Sequence, residues 1–236
     1  MTVVEDWCDL GTASRPRVWT LAALFFAADA LSERIRSSFT VSKDEERVVA
    51  VLAAEGAVMF ICQRAIVRAG CAFLMIDPML PAARVEYLLD DSRAAMILLA
   101  CSSDAASDLV TQSARPWLRV DVAMPPLDAV GSVQEEVEGG GEGATTRETA
   151  LFPPAEASRL MYVCYTSGSS GRPKGVAVTQ GALRAYCVAN AKTHHIGADS
   201  RVLLTSAVSF DPSIGEAWTA LLAGATLCLP SRAMVL

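Results

Sequence analysis

Apolar residues along the chain fall into two rhythms. Short apolar runs at 48–53, 72–76, 95–100, 117–122, 160–165, 175–178, 201–205 and 225–229, bounded by polar and turn-forming residues, predict strands. Over 20–36, 56–69, 82–90, 180–192 and 213–223 the spacing predicts helices; Val58, Cys62, Ala65, Ile66 and Ala69, for example, fall on one helical stripe. Alternation of the two predicts an α/β fold of layered, largely parallel sheets. The pattern lapses from Pro125 to Glu156, a polar interval holding Glu135-Glu136 and Gly139-Gly140-Gly141. Its low apolar content cannot offset the entropy of ordering, which predicts a flexible Gly-rich surface loop over 125–156 between α/β portions at 1–124 and 157–236. No internal repeat is evident.

Composition narrows this picture. With 236 residues, 52% hydrophobic and 19% charged, the chain reads as one or two compact globular units. A net charge of −6 without a Lys/Arg cluster argues against a general nucleic-acid surface and directs attention to small-molecule partners. The apolar stretch 48–76 is interrupted by Glu55, Gln63, Arg64 and Arg68, short of the ~20 apolar residues a spanning helix needs. Glu5, Asp6 and Asp9 do not make a signal peptide. Cysteines at 8, 62, 71, 101, 164, 187 and 228 form no CxxC pair and read as reduced thiols, the usage of a cytoplasmic protein. His194-His195 ends a helix and reads as a capping or surface pair; no metal site is expected from it. The tryptophans at 7, 19, 117 and 218 read as core or edge anchors.

Candidate chemistry is concentrated in Tyr165-Thr166-Ser167-Gly168-Ser169-Ser170-Gly171-Arg172-Pro173-Lys174-Gly175, a loop between two apolar runs. Gly168, Gly171 and Gly175 permit backbone conformations closed to other residues and bring amide N–H groups close to an anion. Thr166, Ser167, Ser169 and Ser170 add hydroxyl donors, and Lys174 adds a mobile positive charge. Composition alone favours a flexible Gly/Ser turn, and only the order of the residues speaks against that reading. The order also excludes the nucleotide loop in which Gly-Lys-Ser/Thr opens a helix, because Pro173 precedes Lys174 and Gly175 follows it.

The string resembles the signature of the AMP-forming adenylating enzymes, the superfamily of acyl-CoA synthetases, luciferases and nonribosomal peptide synthetase adenylation domains. Ser170, where the family more often has Thr, keeps the hydroxyl. Two further segments resemble amino-acid-activating members in order and spacing. One is Arg68 to Pro78 with Pro81-Ala82-Ala83-Arg84, ahead of a helix through Tyr87-Leu88-Leu89-Asp90-Asp91; the other is Ser209-Phe210-Asp211-Pro212-Ser213 with Trp218 and Leu221 to Ala225.

The resemblance implies ATP with Mg²⁺ as cofactors, a carboxylic or amino acid as substrate, and CoA or the phosphopantetheine of a carrier protein as thiol acceptor. It implies that Thr166, Ser167, Gly168, Ser169, Ser170, Gly171, Lys174 and Gly175 gather the departing phosphates, and that Asp211, Pro212 and Gly215 line the acid pocket. Two readings of Asp211 stand side by side: a partner for a substrate α-amino group, or a helix cap followed by Pro212 at the first helical position. The family's later acid for Mg²⁺, its ribose-binding Asp and its adenylation lysine have no match, and no catalytic residue is assigned within the chain. The chain therefore reads as an incomplete large N-terminal domain of such a ligase. The alternative is a non-catalytic nucleotide- or phosphate-binding remnant, or an interaction module.

Overall fold

The computed structural model describes residues 3–7, 16–39, 45–54, 56–121, 151–152, 157–167 and 172–230. The elements are β1 (Val3–Asp6), β2 (Arg17–Thr20), α1 (Leu21–Ser38), β3 (Val48–Ala53), α2 (Ala57–Arg68), β4 (Ala72–Ile76), α3 (Ala82–Asp91), β5 (Met96–Ala100), α4 (Asp104–Gln112), β6 (Trp117–Arg119), β7 (Leu160–Thr166), β8 (Lys174–Thr179), α5 (Gln180–Thr193), β9 (Arg201–Leu203), α6 (Asp211–Ala223) and β10 (Thr226–Leu229).

Six strands form one sheet in the order β6-β5-β3-β4-β7-β8, parallel throughout except for the β7/β8 hairpin. Its centre is a fully buried strand. Val49, Val51 and Ala53 of β3 face a core shared with α1 and α2, while Val48, Ala50 and Leu52 face a second core with Val85, Leu88 and Leu89 of α3 and Ala106 and Val110 of α4. Helices on both faces explain why β3, β4 and β5 read as unbroken apolar runs. A four-stranded sheet, β2-β1-β10-β9, closes the other side of the first core, where Val4 meets Leu227 in parallel register. The portions at 1–124 and 157–236 thus share both sheets, through β1/β10 and β4/β7.

Three elements were not expected from the sequence. β1 and β2 are four residues each and mix polar with apolar positions; pairing with β10, more than two hundred residues away, makes the edge on which they form. α4 buries only Ala106 and Val110, too short a stripe to read as periodic, and is started by Ser103 Oγ accepting from the Ala106 amide at 3.3 Å. The strand expected over 117–122 ends at Arg119, since β6 lies at a sheet edge beside β5 alone.

Most of the polar interval 125–156 lies outside the described residues, as do Gly139 to Gly141. Leu151 and Phe152, near its end, are buried, and the Phe152 ring sits 5.3 Å from that of Trp218. Trp218 in turn donates its indole N–H to Gln63 Oε1 at 2.8 Å, joining α6 to α2 inside the core. No helix among the described residues is long and apolar enough to cross a membrane.

Candidate functional site

The hairpin β7/β8 positions both halves of the candidate site. Tyr165 pairs with Gly175 and Thr166 with Lys174, so the chain leaves and re-enters the sheet at one point. Thr166, Ser167 and Lys174 are exposed at that tip, and Arg172 is exposed beside them. Gly168, Ser169, Ser170 and Gly171 lie outside the described residues. Gly175 has a steric reason to be glycine: a Cβ there would come within 3.3 Å of Cζ of Tyr165.

Successive side chains of a strand point to opposite faces, and β7 uses both. On one face Tyr162 and Cys164 belong to the first core; on the other Val163 and Tyr165 pack against the second. Tyr162 stacks on Phe73 of β4, ring centroids 5.5 Å apart, and opens on its free side into a cavity of about 290 Å³. Asp211, Pro212 and Gly215, at the start of α6, line that cavity together with Leu183 and Tyr186 of α5. Tyr162 lies four residues from Thr166, so cavity and loop are roughly 13 Å apart along one strand at about 3.3 Å per residue.

Asp211 does not act as the cap expected in one of its two readings. The N-cap position of α6 is Phe210, Asp211 already has helical geometry, and its carboxylate Oδ1 accepts from the Tyr162 hydroxyl at 2.5 Å. Pro212 follows inside the first turn, where its missing N–H leaves no helical bond unmade. Burial, and then the hydrogen bond to Asp211, push the Tyr162 phenol far above its ordinary value, so it stays a donor. The second carboxylate oxygen, Oδ2, has no hydrogen-bond partner among the described residues.

Gly215 is buried in α6 and lets Tyr186 close over the helix, since a Cβ there would stand 2.5 Å from Tyr186 Cε1. His194 caps α5, its amide donating to Asn190 O at 3.0 Å, and His195 follows with a positive φ of 53°. Cys62, Cys71, Cys164, Cys187 and Cys228 are buried free thiols and Cys101 is a half-buried one, while Cys8 lies outside the described residues. Burial raises the Cys62 thiol to about 12 and those of Cys71 and Cys187 to about 11, which leaves them unreactive at neutral pH.

Sequence reasoning missed the aromatic frame. The chain has four tyrosines, and Tyr87, Tyr162, Tyr165 and Tyr186 all surround the loop or the cavity. Their clustering is invisible along the chain except at Tyr162 and Tyr165, whose offset of three put them on opposite faces of a strand already expected there.

Comparison with known proteins gives the chain a family and a fold. The family model described as AMP-binding enzyme matches residues 5–235. The chain is 36% identical over 212 residues to the probable non-canonical nonribosomal peptide synthetase CymA of Salinispora arenicola, covering 90% of this chain and 2% of that protein. It is 34% identical over 185 residues to novobiocin biosynthesis protein H of Streptomyces niveus, covering 78% of this chain and 29% of that protein. The fold matches crystal structures of the nonribosomal peptide synthetase FmoA3, with a TM-score of 0.68 and 25% identity over 92% of this chain and 20% of the other. The chain therefore spans a small part of the length of these relatives, and it belongs to the family of AMP-binding enzymes.

Proposed function

We propose that this chain carries the triphosphate-gathering loop and the acid pocket of an AMP-forming ligase that activates an amino acid. In that reaction a carboxylate oxygen attacks the α-phosphorus of ATP, the bond between the α- and β-phosphates breaks, and its electron pair leaves with pyrophosphate. Two anions must meet, so the chain's part is to hold them in line and to neutralise the departing charge. Thr166, Ser167 and Lys174, with Gly168, Ser169, Ser170 and Gly171, would hold the β- and γ-phosphates, and Gly175 would let the strand return beneath them. Hydroxyls and one ammonium at a hairpin tip are a donor set suited to polyphosphate. Among the described residues no group of three or more His, Cys, Asp or Glu could hold a metal ion.

The observation that carries the reading is the convergence of the loop and the Asp211 cavity on one strand. Tyr162 engages Oδ1 of Asp211 beside the cavity that both residues line, which would leave Oδ2 to accept from a substrate ammonium group. Similarity to nonribosomal peptide synthetases supports an amino acid as substrate, and the phosphopantetheine of a carrier protein, or CoA, as acceptor of the acyl group. Free buried thiols and the need for ATP support a cytoplasmic location.

ATP titration of the chain tests the loop. Lys174→Ala is expected to weaken ATP by about ten- to a hundredfold, the range of a charge-assisted hydrogen bond, and Arg172→Ala to change it little. Unchanged affinity in Lys174→Ala would refute the phosphate role. ATP binding without amino-acid-dependent pyrophosphate exchange by the polypeptide that carries this segment would favour the non-catalytic nucleotide-binding alternative.

A further inference from the structure

We propose that Tyr87 and Asp91 of α3 are positioning residues that hold the two ends of the 166–174 loop at a fixed separation. The inference rests on the phosphate reading of the loop and names a device behind it. Where the loop leaves the sheet, the Tyr165 hydroxyl donates to Asp91 Oδ2 at 2.8 Å. Where it returns, the Tyr87 hydroxyl donates to the Pro173 carbonyl at 3.0 Å, with Asp91 Oδ1 3.5 Å away. One turn of helix thus grips the outgoing strand through a side chain and the incoming strand through its backbone. Tyr87 and Asp91 share a helix face because they are four residues apart. α3 itself is seated by Val85, Leu88 and Leu89 in the second core, so the grip is referred to the rigid centre of the sheet. The Tyr165 ring against Gly175 adds a third contact, which any larger residue at 175 would crowd.

The grip lies on the face of β7 opposite the acid cavity. Phosphate holding and acid selection can therefore vary independently, one through α3 and the other through α5 and α6. Fixing both ends lowers the freedom that the hairpin tip loses when an anion binds, which raises affinity without a new contact to the ligand.

The test uses the 236-residue chain with Tyr87→Phe, Asp91→Ala, Asp91→Asn and Leu89→Ala. ATP and AMP affinities are measured by titration, and amide hydrogen exchange is followed at Tyr165, Thr166, Lys174 and Gly175. Tyr87→Phe and Asp91→Ala are expected to weaken ATP roughly tenfold, the worth of one such hydrogen bond, and to leave AMP unchanged. Exchange at the hairpin tip should rise with them. Asp91→Asn keeps an acceptor for Tyr165 and should restore most of the ATP affinity. Leu89→Ala, a core truncation in the same helix that leaves both hydrogen-bonding groups in place, should lower the melting temperature more than Tyr87→Phe does and lower the ATP to AMP ratio less. If Lys174→Ala lowers that ratio while Tyr87→Phe and Asp91→Ala do not, the positioning role is overturned and the phosphate reading survives. If Lys174→Ala also leaves the ratio unchanged, the phosphate reading fails, and tip exchange decides: parental rates overturn the grip, and faster rates retain it as a device of the hairpin.

Discussion

Gly215 and Gly181 are both helical glycines, yet alanine should have opposite consequences at the two. A Cβ at 215 would stand 2.5 Å from Cε1 of Tyr186, the far end of a flexible side chain that is 49% exposed. Removing a glycine from a helix interior gains about 0.8–1.0 kcal/mol of helix propensity. Swinging the phenol off its preferred rotamer costs about 0.5–1.5 kcal/mol. The two nearly cancel, so Gly215→Ala should leave stability within about 1 kcal/mol of the parent, or roughly 2–4 °C in Tm for a chain of this size. At 181 the new Cβ would stand 2.8 Å from the backbone carbonyl of Ala157, which also accepts the Gly181 amide at 2.8 Å. Backbone held by a hydrogen bond cannot swing aside, and overpacking of this kind costs about 1–3 kcal/mol. The ligand response should reverse the order. Gly215→Ala adds a methyl and displaces a wall of a 290 Å³ cavity, a change worth about 1–3 kcal/mol in a pocket of fixed shape, so amino-acid affinity should fall about tenfold or more. Gly181 does not line that cavity, and its variant should bind normally below its own Tm. Melting by circular dichroism and amino-acid titration supply both readouts. A Tm loss in Gly215→Ala as large as in Gly181→Ala would show that Tyr186 is locked, and parental affinity at parental stability would remove the cavity from substrate binding.

Asp211→Asn should lower stability by about 1 kcal/mol, because a neutral amide replaces the first-turn carboxylate that accepts from Tyr162, while amino-acid affinity falls about ten- to a hundredfold and that of the deaminated acid does not. Equal losses for both acids would rule out an ammonium partner. Trp218→Phe should cost about 3 kcal/mol in urea denaturation, since it opens a void at a 1% exposed site and strands Oε1 of Gln63, whose Nε2 already lacks a partner; a loss below 1 kcal/mol would mean that the core relaxes around it. Alkaline pH should destabilise the fold. Burial raises Cys62, Cys71 and Cys187 from an ordinary 9.0 to about 12, 11 and 11, so the folded chain holds these protons where the unfolded chain releases them. Their stabilising contribution is whole below pH 9 and is lost as pH climbs through 11 to 12. The melting temperature should therefore drop across that window, and the drop should be shallower in Cys62→Ala; a flat profile to pH 11.5 would contradict the burial argument.

The sequence by itself determined the central layer and singled out the loop as the seat of candidate chemistry. β3, β4 and β5 are legible because helices cover both faces and make every position apolar, and the long helices are legible because a stripe of several buried residues repeats. Thr166, Ser167, Lys174 and Gly175 could be put forward in advance as phosphate-holding candidates because hydroxyls, glycines and a lysine fall at close spacing along one hairpin. Other features depended on residues brought together from far apart. β1 exists as a strand because β10 returns beside it, and nothing in Val3 to Asp6 announces a partner at Thr226 to Leu229. The cap reading of Asp211 fails because Phe210 takes the N-cap position and the carboxylate accepts from Tyr162, 49 residues earlier. Gly215 looks unremarkable in a helix until Tyr186 is found occupying the space its side chain would need. Tyr87 and Asp91 were visible as a helix face, but their grip on the loop appears only when α3 is packed on the sheet beside β7, because a hydrogen bond between residues 74 or 86 positions apart is fixed by packing and leaves no periodic trace in the chain.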